Sequence, residues 1–207
     1  MQFELSTEDV RCWSVPLDVS DQVIASHYAH LPPDEQQRSA RFRFQADRRR
    51  FVVAHGVLRD LLGSYVGTSP RKIQFAYSAF GKPTLIPEFG GRVHFNLSHS
   101  GDVALIAIAK NAEVGVDVEQ VVVDFNYLEV ARCFFSSAEF DRLMRIPLHL
   151  QAEAFFRCWT KREAYLKGHG EGLAGLPDLA DEECKSWSFH EIRPAAGYVG
   201  TVALRPV

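Results

Sequence analysis

Hydrophobic positions along the chain change period more than once. After a stretch around Gln2 to Pro16 that predicts a first strand, Leu31-Pro32-Pro33-Asp34-Glu35 joins a proline stop to an acidic helix start. From Asp34 to about Tyr65 the three- and four-residue spacing of Phe44, Phe51, Val52, His55, Leu58 and Leu62 predicts one long helical region. Arg41, Arg48, Arg59 and Asp60 fall largely off that stripe. Short β runs follow at Ile73 to Tyr77, Thr84 to Ile86, Val93 to Leu97, Val103 to Ala109 and Val114 to Glu119, punctuated by Gly, Pro and Ser. Helical spacing returns from Tyr127 to Lys167, broken at Pro147, and Trp187 to Leu204 is strand-like again. Helix then strands, twice, predicts an α+β protein of two halves, residues 1–112 and 113–207. Ala40-Arg41-Phe42-Arg43-Phe44 and Ala131-Arg132-Cys133-Phe134-Phe135 form a weak internal echo of the same duplication.

The composition narrows the class. With 207 residues, 46% of them hydrophobic, the chain can bury a large core, which argues against a disordered linker. A net charge of -3 excludes a generic polyanion binder and gives no expectation of nucleic-acid binding. That total hides segregation, because Asp34 to Asp60 holds seven arginines against four acids. The longest apolar run, Val103 to Ala109, is far short of the ~20 residues of a membrane span, and Met1 to Asp9 lacks a basic, then apolar, leader. Cys12, Cys133, Cys158 and Cys184 are too scattered for a zinc site or disulfide framework, so buried free thiols in a cytoplasmic protein are expected.

Two acidic positions and one helix carry the chemistry. In Gly115-Val116-Asp117-Val118-Glu119, strand alternation puts Asp117 and Glu119 on one face, an arrangement suited either to a hard cation such as Mg²⁺ or to a solvated edge strand. At 100° per residue, Ala152, Phe156, Trp159, Glu163 and Lys167 share a helix face, with Arg157 and Lys161 pointing away. Glu163 and Lys167 thus interrupt an apolar stripe, either as a surface i,i+4 pair or as groups meeting a metal or charged ligand. Gly168-His169-Gly170-Glu171-Gly172 follows a helix rather than opening one, so it is a helix exit and not a dinucleotide fingerprint. His94-Phe95-Asn96-Leu97-Ser98-His99-Ser100-Gly101 is a second polar cluster. It lacks a nucleophile elbow, which leaves His99 as a phosphate donor in preference to serine hydrolysis.

Taken together, Phe95 to Ser100, Gly115 to Glu119 and Trp159-Thr160-Lys161-Arg162-Glu163-Ala164-Tyr165-Leu166-Lys167 resemble the 4'-phosphopantetheinyl transferases of the two-domain, surfactin-synthetase-activating type. Phe134-Phe135-Ser136 with Glu139, Gly81-Lys82-Pro83, Arg48-Arg49-Arg50 and Gly170 to Leu173 extend the likeness over about residues 38 to 173. The resemblance implies two pseudo-symmetric α+β halves with the active site at their interface. It implies Mg²⁺-dependent transfer of the phosphopantetheine arm of coenzyme A to a serine of an apo acyl or peptidyl carrier protein, releasing 3',5'-ADP, by a monomeric enzyme. Asp117, Glu119 and Glu163 then correspond to metal ligands, and Glu163 also to the base. Lys167 corresponds to a pyrophosphate contact, His99 and Arg50 to groups near the 3'-phosphate, Lys82 and Ser98 to positions around the nucleotide, and Arg38 to a further phosphate contact. One departure is Arg162, where the family commonly has lysine; arginine stays protonated and cannot act as an amine base. A coenzyme A- or nucleotide-binding module without transfer, or a Mg²⁺-dependent phosphohydrolase, would share parts of this residue set.

Overall fold

A computed structural model describes residues 2–6, 10–89, 91–170 and 183–206. The predicted first strand is a hairpin of two, β1 (Gln2–Ser6) and β2 (Val10–Pro16). Three helices follow: α1 (Asp21–His30), α2 (Pro33–Ala40) and α3 (Gln45–Val66). The single long helical region is therefore corrected to two helices separated at residues 41–44, and α1 was not anticipated, because it buries no residue and so carries no apolar stripe. Phe44 sits at the entry to α3 and is 60% exposed.

Two short strands, β3 (Phe75–Tyr77) and β4 (Pro83–Leu85), pair with each other. The hairpin of β5 (Val93–Ser100) and β6 (Val103–Lys110) then completes a four-stranded sheet of order β1-β2-β6-β5. The chain passes through Asn111, whose φ of 57° asparagine tolerates well, directly into β7 (Ala112–Gln120). Three helices come next, α4 (Tyr127–Phe134), α5 (Ser137–Met144) and α6 (Leu148–His169). Finally β8 (Ser188–Ile192) and β9 (Tyr198–Pro206) form the sheet β7-β9-β8.

The two halves repeat one plan. Each has a leading strand, then helices ending in one of 22 residues closed by a left-handed glycine, Gly67 or Gly170, then a strand pair. In both sheets the last strand lies between the leading strand and the penultimate one, as β2-β6-β5 and as β7-β9-β8. The α+β class with two pseudo-symmetric halves is as expected.

Strand β6 shows why its sequence lacks polar alternation. Ala104, Ile106 and Ile108 pack on Val53, Leu58 and Leu62 of α3, while Val103, Leu105, Ala107 and Ala109 pack on Val114, Val116, Val118 and Val202 of the second half. Both faces are buried, so both must be apolar. Cys12 and Cys184 are buried, but Cys133 is exposed, contrary to expectation.

Arg59, expected off the apolar stripe, is 2% exposed. Its guanidinium donates to Glu35 Oε2 at 2.7 Å and to the carbonyls of Ile73 and Pro70 at 2.8 and 3.2 Å, fastening α2 and the post-helix turn to α3. Burial opposes the charge on Glu35, but hydrogen bonds from His55 and Arg59 and their positive charges outweigh it and hold the carboxyl at about 2, against an ordinary 4.5. A depressed carboxyl stabilises the fold above its unfolded value and loses that contribution as pH falls toward the folded one. Stability is therefore expected to drop by on the order of 3 kcal/mol between pH 4.5 and 2 on account of this group. Chemical unfolding at stepped pH would read the effect, and Glu35→Gln should flatten that part of the profile.

Candidate active site

Strands β5 and β7, from different halves, run side by side in the same direction and are bridged by side chains. Val116 N–H donates to Asn96 Oδ1 at 3.0 Å, Ser98 Oγ to Asp117 Oδ1 at 2.8 Å, and Ser100 Oγ to Glu119 Oε2 at 2.7 Å. Alternation explains the pattern: Asn96, Ser98 and Ser100 face β7, while Leu97 packs on the first-half core on the opposite side. Asp117 and Glu119 answer them, while Val116 and Val118 are buried in the core.

Helix α6 lies across this seam. Lys167 Nζ donates to Asp117 Oδ1 at 2.5 Å and to Ser98 Oγ at 2.9 Å. Ser98, expected near the nucleotide, thus ties the lysine to the aspartate. Asp117 is 2% exposed, and its second oxygen, Oδ2, is buried without a hydrogen-bond partner. An orphaned carboxylate oxygen in such a place is costly unless something positive meets it.

Electrostatics point the same way. Loss of surrounding water raises the pKa of Asp117, Glu119 and Glu163. The charge of Asp117 raises Glu119 and Glu163 further, and Lys167 counters all three. At Glu163 burial and the charge of Asp117 together outweigh Lys167. Three half- to fully buried carboxylates with one lysine form a donor set that suits a hard divalent cation. Their oxygens are not gathered within 4.8 Å of one another, and Lys167 pairs with Asp117.

His99 is exposed at the rim of this donor set, yet lost hydration, then the charges of His55, Lys167 and Arg50, push its pKa down, with Asp47 opposing them. His55, assigned by its spacing to an apolar stripe, belongs to that group; it stacks on Phe51 with ring centroids 4.0 Å apart. Arg50 is held by Asp102 at 2.9 Å and Asp47 at 3.2 Å. Arg38 is exposed on α2, its guanidinium carbon 5.2 Å from the Phe51 ring centroid. The arginine-rich segment as a whole is dispersed: Arg49 pairs with Asp21, Arg59 with Glu35, and Arg48 lies over Tyr28.

Lys82 reaches from the first half to the C-terminal end of α6, where its Nζ donates to the Gly168 carbonyl, and burial lowers its pKa. With Gly81, Asn96 and Leu97 on one side and Glu163, Leu166, Lys167 and Gly170 on the other, it lines a cavity of about 270 Å³. A second cavity, of about 690 Å³, opens beyond Ser100 and Glu119 and is walled by Val122, Phe125, Phe156 and Trp159. The segment from Glu171 to Leu173 lies outside the described residues. Arg162 points away from the carboxylates; it is 2% exposed, paired with Glu139 and set 5.3 Å over the Phe135 ring. Glu139 in turn closes the capping box of α5 with Ser136, so Arg162 joins α6 to α5.

Two family models match the chain: that of the N-terminal part of 4'-phosphopantetheinyl transferases over residues 18–111, and that of the 4'-phosphopantetheinyl transferase superfamily over residues 113–203. The chain is 35% identical to the 4'-phosphopantetheinyl transferase HetI of Nostoc sp. strain PCC 7120, over 97% of its own length and 89% of that protein's. The chain belongs to the 4'-phosphopantetheinyl transferase superfamily. A putative 4'-phosphopantetheinyl transferase of Synechocystis is 32% identical over 79% of this chain and 65% of its own length. The 4'-phosphopantetheinyl transferase Sfp of Bacillus subtilis is 28% identical over 70% of this chain and 62% of its own. Among the described residues of this transferase, no helix is long and apolar enough to cross a membrane.

Proposed function

We propose that this transferase moves the 4'-phosphopantetheine arm of coenzyme A onto a serine hydroxyl of an apo carrier protein, with Mg²⁺, at the seam between β5, β7 and α6. Membership of the superfamily supports the transfer itself. The observation that carries the site is the buried Asp117 carboxylate, one oxygen held by Lys167 and Ser98 and the other without a partner.

Asp117, Glu119 and Glu163 would hold the cation through oxygens, the ligand class Mg²⁺ prefers. When bound, Mg²⁺ supplies neutralisation of charge on the transferred phosphoryl group. The chain's own residues do the rest. Glu163, its pKa raised by burial and by Asp117, is a stronger proton acceptor than an ordinary carboxylate and takes the proton from the attacking hydroxyl. The serine oxygen bonds to the phosphorus bearing the pantetheine arm, the pyrophosphate bridge breaks, and the electron pair leaves on the phosphate of 3',5'-ADP. Lys167 lies where that charge develops. His99 and Arg50, with Arg38, supply positive charge for the 3'-phosphate, and an anion there would compete with Asp47 and Asp102 for Arg50. Lys82 and Ser98 border the nucleotide side.

The carboxylates stand between the two cavities, which supports donor entry by the Lys82 side and acceptor entry by the Glu119 side. The working division of the chain is 1–112 and 113–207, supported by the one-residue connection at Asn111 and by family models that end at 111 and begin at 113. The enzyme is taken to act as a cytoplasmic monomer.

With Mg²⁺ and coenzyme A, the enzyme is expected to add one phosphopantetheine mass to an apo carrier and release 3',5'-ADP in equal amount. Intact-protein mass spectrometry over a panel of acyl and peptidyl carriers tests this. Release of 3',5'-ADP without labelled carrier would point to hydrolysis, and binding of coenzyme A with neither product would leave a binding module.

A further inference from the structure

Where α1 packs on α3, two histidines one helical turn apart meet a single aspartate. His27 Nδ1 lies 3.4 Å from Asp60 Oδ2, and His30 Nδ1 lies 2.7 Å from Asp60 Oδ1. Among the described residues this is the triple of potential metal ligands whose donor atoms all fall within 4.8 Å of one another. We propose that His27, His30 and Asp60 form a site for a divalent transition-metal cation of the Zn²⁺ class, separate from the carboxylates of the transfer site.

The alternative is a pair of ordinary histidine–aspartate ion pairs, and the geometry argues against it. Both Nδ1 atoms are shut off from solvent, yet neither makes a hydrogen bond, even at 2.7 Å. An imidazole N–H that paired with the carboxylate would have to point at the oxygen. Here the ring lobes pass beside the oxygens, as donors do when they converge on a third atom. Zn–N and Zn–O bonds of about 2.0 to 2.2 Å place two ligands on one ion about 2.9 to 3.4 Å apart, for angles between square and tetrahedral. The separations of 3.4 and 2.7 Å lie at the top of that range and just below it.

The imidazoles also select the metal. Two neutral nitrogens and one carboxylate suit Zn²⁺, Co²⁺ or Fe²⁺, whereas Mg²⁺ prefers an all-oxygen shell. His30 and Asp60 are each about one-third exposed, 36% and 34%, so water can complete the coordination. The backbone prepares the position: a Cβ at Gly56 would fall 2.4 Å from His27 Cβ, so His27 rests directly against α3 because residue 56 is glycine. Helix α1 buries no residue of its own, so a bound cation would staple it to α3, the helix that carries Arg50 and His55.

The test uses the full, tag-free chain, stripped with chelator and kept in millimolar Mg²⁺ so that the carboxylate site is occupied. Added Co²⁺ should bind one equivalent with visible ligand-field bands, and X-ray absorption of the Zn²⁺ form should show two imidazole nitrogens. His27→Gln with His30→Gln should weaken that equivalent at least ~100-fold while leaving the rate of transfer with Mg²⁺ alone unchanged. Zn²⁺ should raise the Tm of the wild-type chain by several degrees and not that of the double variant. A Zn²⁺ shell without imidazole, or Co²⁺ binding that is absent or equal in both proteins, would overturn the proposal. If the double variant fails to fold, the absorption spectrum of the wild-type chain decides alone.

Discussion

Glu163→Gln is expected to lower the rate of carrier labelling by about 10³-fold or more while leaving the fold intact. General-base catalysis by a positioned group contributes roughly 10² to 10⁴ in rate, and the same substitution removes one of three carboxylates facing a cation. The amide keeps the shape of the side chain but can neither accept the serine proton nor carry charge. Stability should not fall, because burial and then the charge of Asp117 already disfavour the ionised form of half-buried Glu163. Removing one negative charge there relieves repulsion. Single-turnover mass spectrometry of carrier labelling, beside a thermal melt, separates the two effects. Labelling within tenfold of wild type, at saturating coenzyme A and Mg²⁺, would remove Glu163 from the mechanism.

What could be read from the sequence followed from periodicity, and what was missed followed from contacts between elements. Asp117 and Glu119 were legible because a strand's two-residue period fixes their common face whatever the sheet does next. The partners that answer them, Ser98 and Ser100, were visible only as a polar cluster, since the side-by-side run of β5 and β7 is a tertiary fact. Helix α6 misled differently. It packs on β7 and β9 with one flank and on α4 and α5 with another, so Arg162 and Thr160 are buried as deeply as Phe156. A single apolar stripe assumes a helix with one neighbour. Arg59 and Glu35 were hidden for a related reason: a charged residue satisfied by a partner on another helix looks, on its own helix, like a solvent-facing residue. Helix α1 has no apolar stripe to find, and the arginine-rich segment, which looked like one anion site, spreads its charges among four separate acids and four aromatic rings.

The placement of Glu163 and Lys167 depends on a contact with no side chain in it. A Cβ at Gly115 would lie 1.9 Å from the Ala164 carbonyl oxygen, 2.4 Å from Gly168 N and 2.7 Å from Gly168 Cα. All three are backbone atoms of α6, which cannot rotate out of the way, so the helix must move. Ala164 and Gly168 immediately follow Glu163 and Lys167, and Gly115 lies two residues before Asp117 on β7. Any adjustment at this contact therefore shifts the base and the phosphate-facing lysine against the aspartate they serve. Overpacking in a core costs about 1 to 3 kcal/mol and more when backbone opposes it, which for a chain of this size corresponds to a fall in Tm of roughly 5 to 10 °C. A displacement of about 1 Å in an oriented site can cost a further 10² in rate. Gly115→Ala is accordingly expected to lower both Tm and the rate of labelling, the latter measured well below the new Tm so that unfolding does not contribute. Gly91→Ala, where a Cβ would meet nothing within 4 Å, is the matched control and should change neither. If Gly115→Ala melts within 2 °C of wild type and labels carrier within twofold, roughly the spread expected of surface substitutions, then α6 is not held to β7 by this contact, and the spacing of Glu163, Lys167 and Asp117 must be set elsewhere.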